Sequence, residues 1–475
     1  MTEPCGPTVA VILSRLVETT VEYERKLEAP PGFQLPDLGG EPLETRVFTS
    51  VYHDTADHSL ARAGITLRRR TERGKSVWQL KLPVDGARIE IEEPGGPAGP
   101  PDGLRALLRA HERRGEVAPV AELRTRRHGA LVTSGTATAE VTVDEVTVMD
   151  AHRVANEFVE LEIELREGEP QGLGRIAKDL EKAGAHERDL TPKLFRVLLV
   201  EPRKKPKTPF ETLRARLREQ LDAILANDPG TRLGRDPENL HDMRVAVRRA
   251  RALLRAGAPL YTTDTQALAT ELKWLGSVLG DVRDLDVLLE RLRAEASELD
   301  PADRAAAGRL LRSLDRQRSR VRRTLLKALD GNRYAVLLDR FETTLAELEP
   351  TKTKLRLETL ATRQLKKFSR AVNALDAQPT DTALHDLRKR GKRVRYAHEL
   401  SGAPKVVRRA KALQDVLGEH QDSVVAEERL RALSHDAPPD QALAAGLLVE
   451  RERARRAEAR SSWRAAWRRL ERAGQ

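Results

Sequence analysis

The chain has 475 residues, 33% of them charged and 3% aromatic, with a formal net charge of +11. That length suits two to four domains with sizeable cores, and the single cysteine, Cys5, excludes a disulfide framework and a cysteine-rich metal site. The apolar stretch VAVILSRLV is broken by Arg15, falls short of a bilayer span and lacks a secretory cleavage signature, so the expectation is a cytoplasmic protein with no membrane partner.

Charge is unevenly spread. Residues 1–200 hold 27 Lys and Arg against 33 Asp and Glu, a balance of −6, whereas residues 201–475 hold 57 against 40, a balance of +17. All of the basic excess therefore lies in the second part, which points to a polyanionic partner there. Single-stranded nucleic-acid binders stack bases on aromatic side chains. Scarce aromatics and the lack of a base-reading motif disfavour nucleic acid as that partner.

In chain order, the first segments are VEYERKL, ITLRRR, VWQLKL, RIEIEE, AEVTVDEV and FVELEIEL. Their period-two alternation, broken by stretches such as EPGGPAGPPDG, predicts β-strands. Charged residues share strand faces: Glu22, Glu24 and Lys26; Arg68 and Arg70; Gln79 and Lys81; Arg88, Glu90 and Glu92; Glu160, Glu162 and Glu164. Asp144 closes the set. On any one strand this describes a solvated outer face. Six such strands also allow a closed barrel with these faces turned inward. Carboxylates at alternate positions would suit a hard divalent cation such as Mg²⁺ or Mn²⁺, and Arg and Lys nearby would hold phosphate oxygens.

Residues 19–200 resemble a CYTH domain, the triphosphate tunnel metalloenzyme family. The match is carried by Glu22-Tyr23-Glu24-Arg25-Lys26 as ExExK, then YHDT (52–55), LRRR (67–70), WQLKLP (78–83), Asp144, VELEIEL (159–165) and TPKL (191–194). The resemblance implies an antiparallel β-barrel tunnel with accessory helices. It implies Glu22, Glu24, Glu162 and Glu164 as ligands of Mg²⁺ or Mn²⁺, with Glu160 a further candidate, and Glu22, Glu24 and Lys26 as the catalytic set. Lys26, Arg68, Arg70, Lys81 and Lys193 would contact phosphate, with Arg124 or Arg126 added. The family includes tripolyphosphatases, thiamine triphosphatases and adenylate cyclases, and these residues do not choose among them. A triphosphate-containing small molecule is the implied substrate class.

EPRKKPKTP, residues 201–209, is a Pro- and Lys-rich break and predicts a linker. From residue 210 to 475 the sequence turns rich in Ala, Leu, Arg and Glu, which predicts an all-α domain. It contains a repeat. LHDMRVAVRRARALL from Leu240 and LHDLRKRGKRVRYAH from Leu384 set their histidines 144 residues apart, and Gly280 and Gly418 in LGDVRDLDV and LGEHQDSVV are 138 apart. Duplication predicts two pseudo-symmetric helical bundles whose basic faces line a shared cleft. His241, Arg244, Arg248, Arg251 and Arg255 stack on one helix face, as do His385, Arg388, Lys392 and Arg395. Like charges at that spacing repel by about 0.2–0.5 kcal/mol per pair, so the pattern anticipates an anion. Asn239 and Thr382 are the expected N-caps ahead of the two histidines. Asp284, Asp286 and Asp422 are expected to orient basic side chains or cap helices rather than to bind a ligand. The arginines of ERERARRAEARSSWRAAWRRLERA are expected to be a solvated face.

The second part resembles a CHAD domain, on LHDMRVAVRR, LGDVRDLDV, LHDLRKRGKRVRY and LGEHQD. That resemblance implies inorganic polyphosphate as the partner, held by His241, Arg244, Arg248, Arg251, His385, Arg388, Lys392 and Arg395. The chain as a whole then reads as an α+β multidomain protein that binds polyphosphate, is associated with polyphosphate granules, and carries a metal-dependent triphosphate or polyphosphate hydrolase. The alternative is a targeting protein whose barrel binds without turnover.

Overall fold

The structure, a computed structural model, describes residues 18–84, 87–150, 153–187, 194, 198, 205–352 and 355–474. The chain forms two compact units, one of residues 1–203 with 225–239 and one of residues 204–224 with 240–475.

In the first unit the strands are β1 (Glu18–Glu22), β2 (Glu24–Ala29), β3 (Glu41–Asp54), β4 (Thr66–Glu72), β5 (Lys75–Val84), β6 (Ala87–Pro94), β7 (Ala118–Ser134), β8 (Ala137–Asp150), β9 (Arg153–Glu167) and β10 (His186–Glu187). They make one antiparallel sheet in the order β1-β6-β5-β4-β3-β7-β8-β9-β2-β10. β1 and β2 are one run of chain interrupted at Tyr23. The first half pairs with β6, setting Glu22 opposite Arg88, and the second with β9, setting Glu24 opposite Glu164. At the break the Leu165 amide donates to the Tyr23 carbonyl at 2.9 Å. One strand thus stitches both sides of the sheet together and closes the barrel.

Alternation then decides what each face meets. The apolar positions face outward beneath three helices, α1 (Ser59–Arg62), α2 (Asp102–Glu112) and α3 (Leu173–Lys182). Leu67, Leu80, Ile89 and Ile91 pack with Leu104, Leu107 and Leu108 of α2. Leu27, Val141, Val143, Leu161 and Ile163 pack with Ile176, Ala177 and Leu180 of α3. Each such Leu or Ile, fully buried, is worth about 1.5–3 kcal/mol of transfer free energy. The charged positions turn inward, the inward-facing alternative left open by the sequence. Between β4 and β5, Arg73 and Gly74 sit at φ 48° and 76°. Two successive left-handed residues make the two-residue hairpin turn whose twist matches the flanking strands.

The second part holds nine α-helices among the described residues: α4 (Pro209–Leu233), α5 (Pro237–Gly257), α6 (Gln266–Ser297), α7 (Pro301–Asp330), α8 (Asn332–Ala346), α9 (Leu357–Asn373), α10 (Asp381–Leu400), α11 (Pro404–Ser434) and α12 (Pro439–Ala473). The two copies of the repeat are α5 with α6 and α10 with α11. One core joins Leu289 and Leu292 of α6, Leu310 and Leu314 of α7, Leu430 of α11 and Leu448 of α12. Another joins Phe368 of α9, Leu387 and Val394 of α10, Leu413 and Leu417 of α11, and Trp463 and Trp467 of α12.

Three local expectations are corrected. α10 is capped by Thr380, whose hydroxyl accepts from the Ala383 amide at 3.2 Å, so Thr382 lies inside the helix. α5 starts at Pro237, where the ring's fixed φ suits a first turn, so Asn239 is helical and buried. The arginines of α12 are a solvated face only in part: Arg468, Arg469 and Arg472 are exposed, but five others reach carboxylates. Arg453 and Arg456 bind Glu427, Arg455 and Arg451 bind Glu295, and Arg460 binds Asp381 and the Pro379 carbonyl. They zip α12 onto its neighbours, a pairing invisible to a reading of one helix. No helix among the described residues is long and apolar enough to cross a membrane.

Candidate functional site

The barrel encloses a cavity of about 500 Å³. Glu22, Glu24, Lys26, Arg68, Arg70, Lys81, Glu162 and Glu164, eight of the residues singled out from sequence, all line it. They arrive from five strands, β1, β2, β4, β5 and β9, because each sits on the inward phase of its strand. Lys193 lies outside the described residues. Arg124 and Arg126 are exposed on the outer face of β7, where Arg126 pairs with Glu145 at 3.1 Å. The inward residue is Arg127, one position on from Arg126 and in phase with buried Leu123 and Thr125. The expected arginine of β7, Arg124 or Arg126, therefore falls on the outward phase of its strand. Arg46, Tyr52, Glu140 and Arg166 also line the cavity and were not anticipated.

Charges inside are interleaved. Lys81 Nζ lies 2.6 Å from Glu22 and 3.5 Å from Glu90, and Lys26 Nζ lies 3.0 Å from Glu162, 3.5 Å from Glu160 and 3.6 Å from Glu24. Arg127 holds Asp144 through two bonds of 2.7 and 2.6 Å and also reaches Glu162. Arg166 lies 2.8 Å from Glu164, and Arg88 lies 3.3 Å from Glu24. Arg68 donates to Gln79 at 2.7 Å and to the Tyr52 hydroxyl at 3.1 Å, and Arg70 stacks over the Phe48 ring at 3.8 Å.

Burial in this enclosed space shapes the protonation states. Burial, then a hydrogen bond shared with Glu90, pushes the Glu22 carboxyl up to about 7 against the pull of Lys81. Burial pushes Glu164 up to about 6, with Arg166 opposing. Burial alone would lower the Lys26 ammonium, but Glu162, Glu24 and Glu160 outweigh it and hold it above its usual range. Burial and the nearby Arg68 and Arg46 bring Arg70 down to about 10.

As arranged, no three His, Cys, Asp or Glu side chains among the described residues converge closely enough to hold a metal ion. The chemistry of the donor set nonetheless fits a hard divalent cation, since it is all carboxylate oxygen. Two of those carboxyls, Glu22 and Glu164, are held up by burial and would ionise beside such a charge.

The helical unit has a second charged site, built from both copies of the repeat. Arg244 and Arg248 of α5 and Arg388, Lys392 and Arg395 of α10 fall within one electrostatic neighbourhood. Burial, then Arg388, Arg248, Arg244 and Arg395 in turn, drives the Lys392 ammonium down to about 7. Burial and the same arginines lower Arg248. Arg248 and Lys392 have no carboxylate partner among the described residues, and the Nε atoms of Arg244, Arg248 and Arg388 are buried without a hydrogen-bond acceptor. Arg244 pairs with Asp284 at 2.9 Å, Arg388 lies 3.9 Å from Asp422, and Arg318 binds Asp286, so the three aspartates orient cations. Glu399 ties the two helices, 3.6 Å from Arg249 and 3.3 Å from Arg395.

His241 and His385 lie partly buried at the N-terminal ends of the two basic stripes. Burial and Lys389 lower His385. Arg251 stands apart from this cluster: its charged neighbour is Arg255 on its own helix.

The sequence model of the CYTH domain family matches residues 20–194 and that of the CHAD domain family matches residues 215–431. An uncharacterised protein of Mycobacterium tuberculosis is 32% identical over 501 residues, spanning 95% of this chain and 97% of its own. Among solved structures, PptA from Streptomyces chartreusis is 27% identical with a TM-score of 0.48, over 55% of this chain and 100% of its own. The CHAD domain from the plant Ricinus communis is 25% identical with a TM-score of 0.45, over 56% and 94%.

Proposed function

This chain belongs to the proteins that join a CYTH domain to a CHAD domain, and on that premise we propose that it binds inorganic polyphosphate and hydrolyses a triphosphate or a polyphosphate end in its tunnel. The observation that carries the reading is the enclosed cavity in which Lys26, Arg68, Arg70 and Lys81 converge with Glu22 and Glu164. The cations are placed to grip phosphate oxygens, Arg68 and Arg70 by their forked donors. Hydrolysis adds a water oxygen to the terminal phosphorus while its bridging P–O bond breaks. A lining carboxylate outside the proposed ligand set, such as Glu90, is placed to take the proton that water gives up. A divalent cation, Mg²⁺ or Mn²⁺, held by Glu22, Glu24, Glu162 and Glu164, would supply charge neutralisation of the phosphates.

The helical unit serves as the polymer grip. Polyphosphate offers successive charges and no bases, which suits a face of Arg244, Arg248, Arg388, Lys392 and Arg395 with few aromatic neighbours. A polymer so held would localise the protein to polyphosphate granules in the cytoplasm.

A second reading has its own support: the tunnel carboxylates are already paired with Lys26, Lys81, Arg88, Arg127 and Arg166, as a binding tunnel without turnover would have them. Phosphate release separates the two. Wild type and Glu22→Ala/Glu24→Ala are offered tripolyphosphate, long polyphosphate, ATP and thiamine triphosphate, each with Mg²⁺ or Mn²⁺. Turnover lost in the variant supports the hydrolase and names its substrate; no turnover in wild type leaves the binding protein.

A further inference from the structure

At one end of the barrel, past Arg70, lies a second, more open pocket of about 590 Å³. Arg46, Arg70, Gln79 and Glu92 line both spaces, so the two are adjacent and share a wall. The inward positions of β4 lead from one to the other: Arg68, Arg70 and Glu72 follow at steps of about 6.6 Å along the strand. The outer cavity is formed by the β4–β5 hairpin and the start of β3. Four cations stand in it, Arg46, Arg70, Arg73 and Lys75, against Glu44, Glu72 and Glu92.

Glu72 stands in the outer pocket, against two of the cations that line both spaces, Arg46 and Arg70. Both of its oxygens are taken by guanidinium groups, Oε1 by Arg46 Nε at 2.7 Å and Oε2 by Arg46 Nη2 and Arg70 Nη2, each at 2.7 Å. This is the bidentate, charge-assisted geometry with which arginines hold a phosphate. Arg46 first, then Arg70, hold the Glu72 carboxyl down at about 2, so it is a fixed anion throughout the physiological range. A carboxylate therefore occupies donors that would otherwise face the next phosphoryl group of a chain lying along β4.

We propose that this hairpin mouth is a second anion subsite, that Glu72 fills it from within, and that Glu72 thereby sets the length of linear phosphate chain the tunnel accepts. The inference rests on the reading of the tunnel as a phosphate site and adds its chain-length selector. With Glu72 in place, the tunnel favours chains that end near Arg70. Without its charge, Arg46, Arg70, Arg73 and Lys75 accept further phosphoryl units.

The test compares tripolyphosphate with linear hexaphosphate by calorimetry, without divalent metal, on the full chain. A background of Arg248→Glu/Lys392→Glu silences the helical grip. In that background Glu72→Gln, which keeps the side chain's shape, raises affinity for hexaphosphate relative to tripolyphosphate about tenfold, the scale of one charged hydrogen bond released. Lys75→Glu, which adds charge of the opposite sign at the mouth, lowers the same ratio. Thermal melts confirm that both variants fold. A ratio unchanged in both variants overturns the inference. Phosphate binding with that ratio shift but no phosphate release from wild type with Mg²⁺ or Mn²⁺ overturns the hydrolase and leaves the inference standing. Absence of any phosphate binding in the silenced background overturns both.

Discussion

The guanidinium of Arg244 lies across Gly280 of the neighbouring helix, its Nη2 3.4 Å from where a Cβ would stand. In the second copy Arg388 lies across Gly418 at the same 3.4 Å. One turn beyond each glycine stands the aspartate that faces the arginine, Asp284 or Asp422. The duplication has therefore preserved a device and not just a sequence: a bare patch of helix that seats a flat cation, and a carboxylate that aims it.

A glycine inside a helix costs about 0.5–1 kcal/mol relative to alanine. Gly280→Ala and Gly418→Ala should each recover part of that and raise the melting temperature, since only the end of a flexible side chain must yield. Each should also lift its arginine and weaken polyphosphate binding severalfold. Paired melting and titration curves check this; unchanged affinity in both variants would show that the seat serves packing alone.

The Lys392 ammonium, at about 7 instead of 10.5, makes the helical site pH-sensitive. Between those values the unfolded chain holds a proton that the folded chain lacks. The contribution of this group to stability therefore rises with pH across that window. Ligand binding runs the other way. A polyanion favours the charged form, so binding takes up a proton and affinity falls as pH rises from about 7 to 9. Calorimetry in buffers of different ionisation enthalpy measures the uptake, and Lys392→Arg should abolish it.

Binding to the helical unit should weaken linearly on a log–log plot against salt, as counterion release requires. Taking the single-strand coefficient, each cation removed flattens the slope by about 0.7. Arg248→Gln should do so, whereas Arg251→Gln, outside the cluster, should leave the slope nearly unchanged. Equal slopes for the two variants would refute the placement.

In the barrel, Arg127 holds the fully buried Asp144 through two hydrogen bonds. Arg127→Met leaves that carboxylate without its bidentate partner, and breaking such a pair from one side costs about 3–5 kcal/mol. Urea unfolding should show that loss, and Arg127→Met/Asp144→Leu should recover much of it. A single variant as stable as wild type would mean that Asp144 is satisfied without Arg127.

Most of the tunnel was legible before any coordinates, because a strand's period of two is a local property. Once Glu22, Glu24 and Lys26 share a phase, they share a face, and the same holds for Arg68 and Arg70. The error at Arg124 came from the same rule applied without an anchor. Basic residues stand at 124, 126 and 127, and the register that sets Arg127 beside Arg46 and Asp144 decides which phase is inward. Five α12 arginines were misread for a different reason: their carboxylate partners Glu295, Asp381 and Glu427 are 26 to 160 residues away in sequence.

The sequence by itself determined the two domain types, the phase of the strands, the repeat and the residues that carry charge, all of which follow from spacing along one element. Tertiary structure alone decided which face of the sheet is enclosed, because closure depends on β1 and β2 pairing with β6 and β9. It also decided which cations remain unpaired. Arg248 and Lys392 face other cations while Arg451, Arg453, Arg455, Arg456 and Arg460 of α12 face carboxylates, and no single helix records that difference. Coulombic partners are set by distances between elements, and those distances exist only in the folded chain.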